Sequence, residues 1–111
     1  MLHVTAVEVL RGFWLRLKLS NGDIVERHVG DLLWGGVFEP VRQRRELFEA
    51  AFVDGGTVAW PGEVDIAPET LIWNGPEPDD TDARPKRRLR VRRATYEPTE
   101  ARLSQPPTSG G

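Results

Sequence analysis

Two histidines, a scatter of carboxylates, a few serines and one dense run of arginines are the side chains with chemistry to offer in this 111-residue chain. His3 and His28 would need a third ligand, such as Glu26 or Glu8, in tetrahedral or facial geometry to hold a metal. Solvent-facing histidines on a sheet are commoner, and no metal site is expected. Glu63, Asp65 and Glu69 come nearest to a carboxylate pair. General acid–base work needs two carboxylates in a cleft whose surroundings push their pKa values apart. Asp65, ahead of Ile66-Ala67-Pro68, is better placed to hold a turn. Ser20 and Ser104 stand in no nucleophile-elbow motif. Gly35-Gly36 and Gly55-Gly56 lack the spacing of a phosphate-cradling loop and read as turn residues. No catalytic residue and no cofactor is expected, so an enzyme is a distant reading.

Binding chemistry is better represented. Arg84, Lys86, Arg87, Arg88, Arg90, Arg92 and Arg93 place seven cations in ten residues with no acid among them. Such a run could neutralise several phosphates, with an affinity that falls steeply as salt rises. Tyr96 is the only aromatic nearby, so the base-stacking platforms of a single-strand binder are missing. The adjacent acidic stretch Glu77–Asp82 could fold back and mask the run, and a solvated charged tail is an equal alternative. Leu89 and Val91 alternate with arginines, so the run could also add as a strand to a partner's sheet edge. Trp14 and Arg16, on the solvent face of a hairpin, are candidate contacts for a protein partner, because interfaces favour Trp and Arg.

The hairpin that carries them is the best-specified element. Phe13-Trp-Leu-Arg-Leu-Lys-Leu19 and Ile24-Val-Glu-Arg-His-Val29 alternate on either side of Asn21-Gly22. A two-residue turn would set Arg16 against Arg27 and Leu17 against Glu26. A three-residue loop with Gly22 left-handed pairs Leu17 with Val25, Phe13 with Val29 and Arg16 with Glu26. Several matched cross-strand pairs, each about 0.2–1 kcal/mol, favour the second register. Phe13, Leu15, Leu17, Leu19, Val25 and Val29 then face the core. Before the hairpin, His3–Leu10 reads as a third strand with Val4, Ala6 and Val9 inward and a slip near Val7. After it, Asp31 is placed to cap a short turn, and Pro40 opens a helix over Val41–Ala51 with Val41, Phe48, Ala51 and Phe52 on one face. Arg45 and Glu49 are spaced to pair on it. Phe52-Val53 and Thr57–Trp60 form a second hairpin, Val64–Ile66 is a short extended piece, and Pro68–Leu71 is one helical turn.

These elements define an α+β domain: a small antiparallel sheet from a three-strand meander and a second hairpin, with one short helix. The compact part is expected over 1–74 and a disordered charged tail over 75–111. Residues 1–74 hold 7 Lys/Arg against 11 Asp/Glu, a balance of −4, and all the Trp and Phe. A body this size buries roughly 60% of its unfolded surface. The remainder carries too little apolar area to offset about 1–2 kcal/mol of ordering entropy per residue. Without cysteine there is no disulfide or zinc–thiolate chemistry. No apolar run approaches the roughly 20 residues of a membrane span, and a cytoplasmic protein with no membrane partner is expected.

The Val-x-x-Val start, the Asn-Gly turn, Asp31-Leu-Leu, Gly36-Val-Phe-Glu-Pro40, Glu46-Leu-Phe, Gly56-Thr-Val-Ala-Trp-Pro61 and Asp65-Ile-x-Pro-x-Thr-Leu71 follow in order. The series resembles the small bacterial family called domain of unknown function 2442, over residues 2–71. Glu63-Val64 departs from it where a small residue is expected, and Gln43-Arg44 replaces a helix-capping pair. The resemblance implies a small α+β domain, sometimes joined to a helix-turn-helix, and often encoded beside a small partner gene in a toxin–antitoxin-like arrangement. It assigns no functional residues. The expected function is a non-enzymatic, antitoxin-like or regulatory module that binds a small protein partner. The alternative is a nucleic-acid-binding accessory protein acting through residues 84–93.

Overall fold

The computed structural model describes residues 1–93; Tyr96 and the polar end from Gln105 lie outside the described residues. Strands β1 (Val4–Val9), β2 (Trp14–Leu19) and β3 (Ile24–His28) form the expected antiparallel meander. Leu17 faces Val25 and Arg16 faces Glu26, the register of the three-residue loop. Gly22 has φ +91°, and its N–H donates to the Leu19 carbonyl at 2.9 Å. The Asn21 side chain accepts from the Asp23 N–H at 3.0 Å, closing the turn. Matched pairs and turn chemistry agree, so the hairpin has one register.

The slip in β1 falls earlier than the sequence indicates. The register shifts between Val4 and Ala6, leaving Thr5 as the extra residue. Val7 and Val9 therefore turn inward and Ala6 is exposed, the reverse of the expectation for Ala6. The second hairpin, β4 (Phe52–Asp54) and β5 (Thr57–Trp60), gains β6 (Val64–Asp65) to make a separate three-stranded sheet. The two sheets meet where the Val4 N–H donates to the Gly56 carbonyl at 2.8 Å. One core joins them, built on Leu15, Leu17, Leu19, Val58, Trp60 and Phe48.

The expected helix over Val41–Ala51 is two pieces, α1 (Glu39–Gln43) and α2 (Arg45–Phe48), broken where Arg44 is extended at φ −120°, ψ 109°. The break turns Arg45 toward the β1–β2 loop, where it donates to the Leu10 carbonyl at 2.8 Å and to that of Gly12, while its Nε pairs with Glu49 at 2.8 Å. Val41 and Phe48 are buried as expected; Phe52 is exposed in β4. Asp31 caps nothing: the turn over Gly30–Leu32 has no side-chain cap, and the carboxylate pairs elsewhere. Pro68 opens α3 (Pro68–Trp73), and Asn74 ends it in a left-handed conformation at φ 56°.

The boundary drawn at Asn74 is not where the body ends. Residues Arg88–Arg90 form β7, which pairs in parallel with β3 to complete a sheet of order β1-β2-β3-β7. Val91, just past it, is fully buried. Main-chain bonds to β3 and one well-packed valine supply what composition alone did not promise.

Candidate partner interface on the sheet

Two surfaces that the sequence offers as rivals meet on the solvent face of this sheet. The registers align Glu8, Arg16, Glu26 and Arg88 in one row across all four strands. Arg16 bridges its neighbours, at 3.0 Å to Glu8 and 3.4 Å to Glu26, and Arg88 reaches Glu26 at 3.3 Å. The same Arg88 lays its guanidinium over the Trp14 ring, 3.9 Å from the centroid. His28, opposite Trp14, meets that ring edge-on at 5.2 Å. Burial, then the charge of Arg90, pushes the His28 pKa below its ordinary value. Trp14 and Arg16 are thus together on one face, as expected, but the basic segment covers Trp14.

The basic run is held along β3. Arg84 pairs with Asp23 at 2.6 Å, and Arg90 pairs with Asp31 at 3.2 Å. Arg93 donates to the Trp34 carbonyl at 2.7 Å. The Arg84 and Arg90 guanidiniums hold the Asp23 and Asp31 carboxyls below the usual carboxylate range. The masking acids therefore lie on and beside β3; among the described residues no ion pair joins Glu77–Asp82 to the run. Lys86, Arg87, Arg92 and Arg93 have no acid partner among the described residues. These pairs are solvent-exposed and each contributes only about 0–1 kcal/mol, so they set register more than they stabilise.

On the inner face, sequence reasoning missed Arg27. It lies between Val25 and Val29 in the alternation and is fully buried opposite Leu15. Its Nε donates to the Leu71 carbonyl at 2.5 Å, Nη2 to the Ile72 carbonyl at 2.9 Å and Nη1 to the Glu26 main-chain carbonyl at 2.7 Å. Two of these are end carbonyls of α3, which favour a cation. Burial lowers its pKa to about 10, so it remains charged at neutral pH. The Val25-x-Arg27-x-Val29 spacing was signal enough to find it.

A cleft of about 520 Å³ opens beyond the end of β3, lined by Leu32, Trp34, Val37, Phe38, Ile66 and Arg93. Trp34 is 58% exposed and Val37 69%. The Arg42 guanidinium stacks over the Trp34 ring at 3.8 Å, holding the indole in place. Glu39 fixes Arg42 in turn, and accepts from the Gly35 N–H at 2.8 Å.

Neither histidine has a ligand set: among the described residues no cluster of His, Asp and Glu could hold a metal. No helix there is long and apolar enough to cross a membrane.

Fold and surface define a small α+β domain of two sheets sharing one core, with an arginine-bearing strand laid along the edge of the larger. The chain belongs to the family described as "Protein of unknown function (DUF2442)", which it matches over residues 4–77. No curated protein and no solved structure matches it. Strand β7 falls beyond the matched residues.

Proposed function

We propose that this protein is a non-enzymatic, cytoplasmic interaction module, antitoxin-like or regulatory, that binds a small protein partner. The observation that carries this is the Trp34–Val37 cleft: a large indole, more than half exposed, held rigid by Arg42 beside a strongly exposed valine. A pre-ordered Trp flanked by apolar surface and arginine is the composition of an interface hot spot. The toxin–antitoxin-like gene arrangement implied by the family resemblance makes the product of the neighbouring gene the partner to test. Full-length protein should capture that product. Trp34→Ala and Val37→Asp should each weaken capture at least about tenfold with little change in melting temperature. Retention of full binding by both variants would remove the cleft from the interface.

Nucleic-acid binding through Arg84–Arg93 is the weaker reading. Three of its seven cations face carboxylates of the body and Arg93 is held on the Trp34 carbonyl, leaving Lys86, Arg87 and Arg92 as the better-disposed phosphate contacts.

A further inference from the structure

We propose that the edge of β3 is a docking site for an extended protein segment with arginine or lysine at alternate positions and an aliphatic residue following, and that residues 84–91 of the chain occupy this site in cis. This goes beyond the Trp34 cleft and rests on separate observations.

The seated segment shows what the site accepts. Main-chain bonds hold both ends, from the Glu26 N–H to the Arg87 carbonyl at 2.7 Å and from the Val91 N–H to the His28 carbonyl at 2.8 Å. Beyond the strand, Asn74 continues the pairing with its side chain. Its Nδ2 donates to the Arg92 carbonyl and its Oδ1 accepts from the Arg92 N–H, both at 3.0 Å. Val91 fills an apolar socket completely, with Leu89 half-buried on the same side. On the other side the acids Asp23, Glu26 and Asp31 meet Arg84, Arg88 and Arg90, and Trp14 stacks on Arg88. Backbone pairing supplies affinity while alternate side chains supply selectivity, as in other strand-addition sites.

The occupant also has the attributes of a detachable ligand. It lies past the family-matched residues 4–77. It is tethered by residues 75–83, which contain no helix or strand. Its arginines are each more than half exposed in their ion pairs, so salt screens those contacts. One fully buried side chain anchors it. Removing it would leave β3 an open strand edge beside an apolar socket, which invites another strand.

The test uses the full-length chain in two variants that unseat the segment, Val91→Asp and the double replacement Arg88→Glu with Arg90→Glu. The probe is a labelled peptide of residues 84–93, with a scrambled peptide of the same composition as control. Both variants should bind the native-order peptide at least about tenfold more tightly than wild type does, and at least about tenfold more tightly than they bind the scramble. Equal binding of scramble and native order would reduce the effect to general polycation attraction and overturn the proposal. So would no gain over wild type in variants that melt cooperatively. Failure of both variants to fold would show that β7 is an inseparable part of the domain, which also overturns it. Reversible dimerisation of wild type that Val91→Asp abolishes would assign the edge to a second copy of the chain instead.

Discussion

The guanidinium of Arg88 lies 3.9 Å from the centroid of the Trp14 ring and 3.3 Å from the Glu26 carboxylate. An arginine of the basic run that the sequence offers to phosphate thus covers Trp14, which the sequence offers to a protein partner. A cation–π contact at an exposed site is worth about 0.5–1 kcal/mol, and with the neighbouring ion pairs it withholds cations from other ligands. Any affinity for duplex DNA should therefore be shallow in salt. Four cations without acid partners among the described residues give a log–log slope near −3.6, where seven free ones would give about −6.3. Filter binding or fluorescence anisotropy from 50 to 200 mM salt separates the two.

Val91 makes truncation costly. A chain ending at Ala83 loses the burial of a whole valine, about 1.5–3 kcal/mol, and should melt roughly 6 °C or more below the full chain at 4–8 °C per kcal/mol. Thermal unfolding followed by circular dichroism measures this. An unchanged midpoint would mean that residues 84–93 do not pack on the body.

Stability should fall with acid in two windows. His28 has a folded pKa below its ordinary 6.5. As pH drops below 6.5 the unfolded chain takes up the proton first, and the fold loses stability. Asp23 and Asp31 have folded values below 3.8, held by Arg84 and Arg90. Their contribution is present above about pH 4 and is lost as pH falls through those lowered values. Melting temperatures from pH 7.5 to 3 should show both declines, and His28→Gln should remove the upper one alone.

Glu63 stands where the family resemblance leads one to expect a small residue, and its φ is +62°. A side chain in the left-handed region costs about 1–2 kcal/mol, partly offset in glycine by its looser unfolded state. Glu63→Gly should raise stability by up to about 1 kcal/mol in denaturant unfolding. A loss would show that the glutamate side chain has an unrecognised role.

What the sequence made legible was local. Leu17 against Val25 and Arg16 against Glu26 admit one register, and Asn21-Gly22 closes it. The β1 phase was misread because Val7, rather than Thr5, looked like the interruption. Arg27 occupied an inward position in a clear alternation, yet its charge hid it among surface arginines; only the α3 carbonyls explain its burial. Strand β7 had one local signal, the alternation of Leu89 and Val91 with arginines, which pointed to a partner's sheet edge and not to β3 of the same chain. Two of its three residues are arginines, and its parallel partner lies 62 residues earlier at Glu26. The acids that receive it are spread over Asp23, Glu26 and Asp31, so the complementarity exists only in three dimensions. The Trp34 cleft was invisible for the same reason: Leu32, Phe38 and Ile66 converge there from separate elements.

Amide hydrogen exchange at Val91 in the intact chain is the most direct test of the central claim that the basic segment is a strand seated on β3. The Val91 N–H, bonded to the His28 carbonyl at 2.8 Å, should exchange far more slowly than an unstructured amide. Its protection should weaken with added salt while that of Leu17 does not. Exchange of Val91 at the unprotected rate, with Leu17 still protected, would contradict the account.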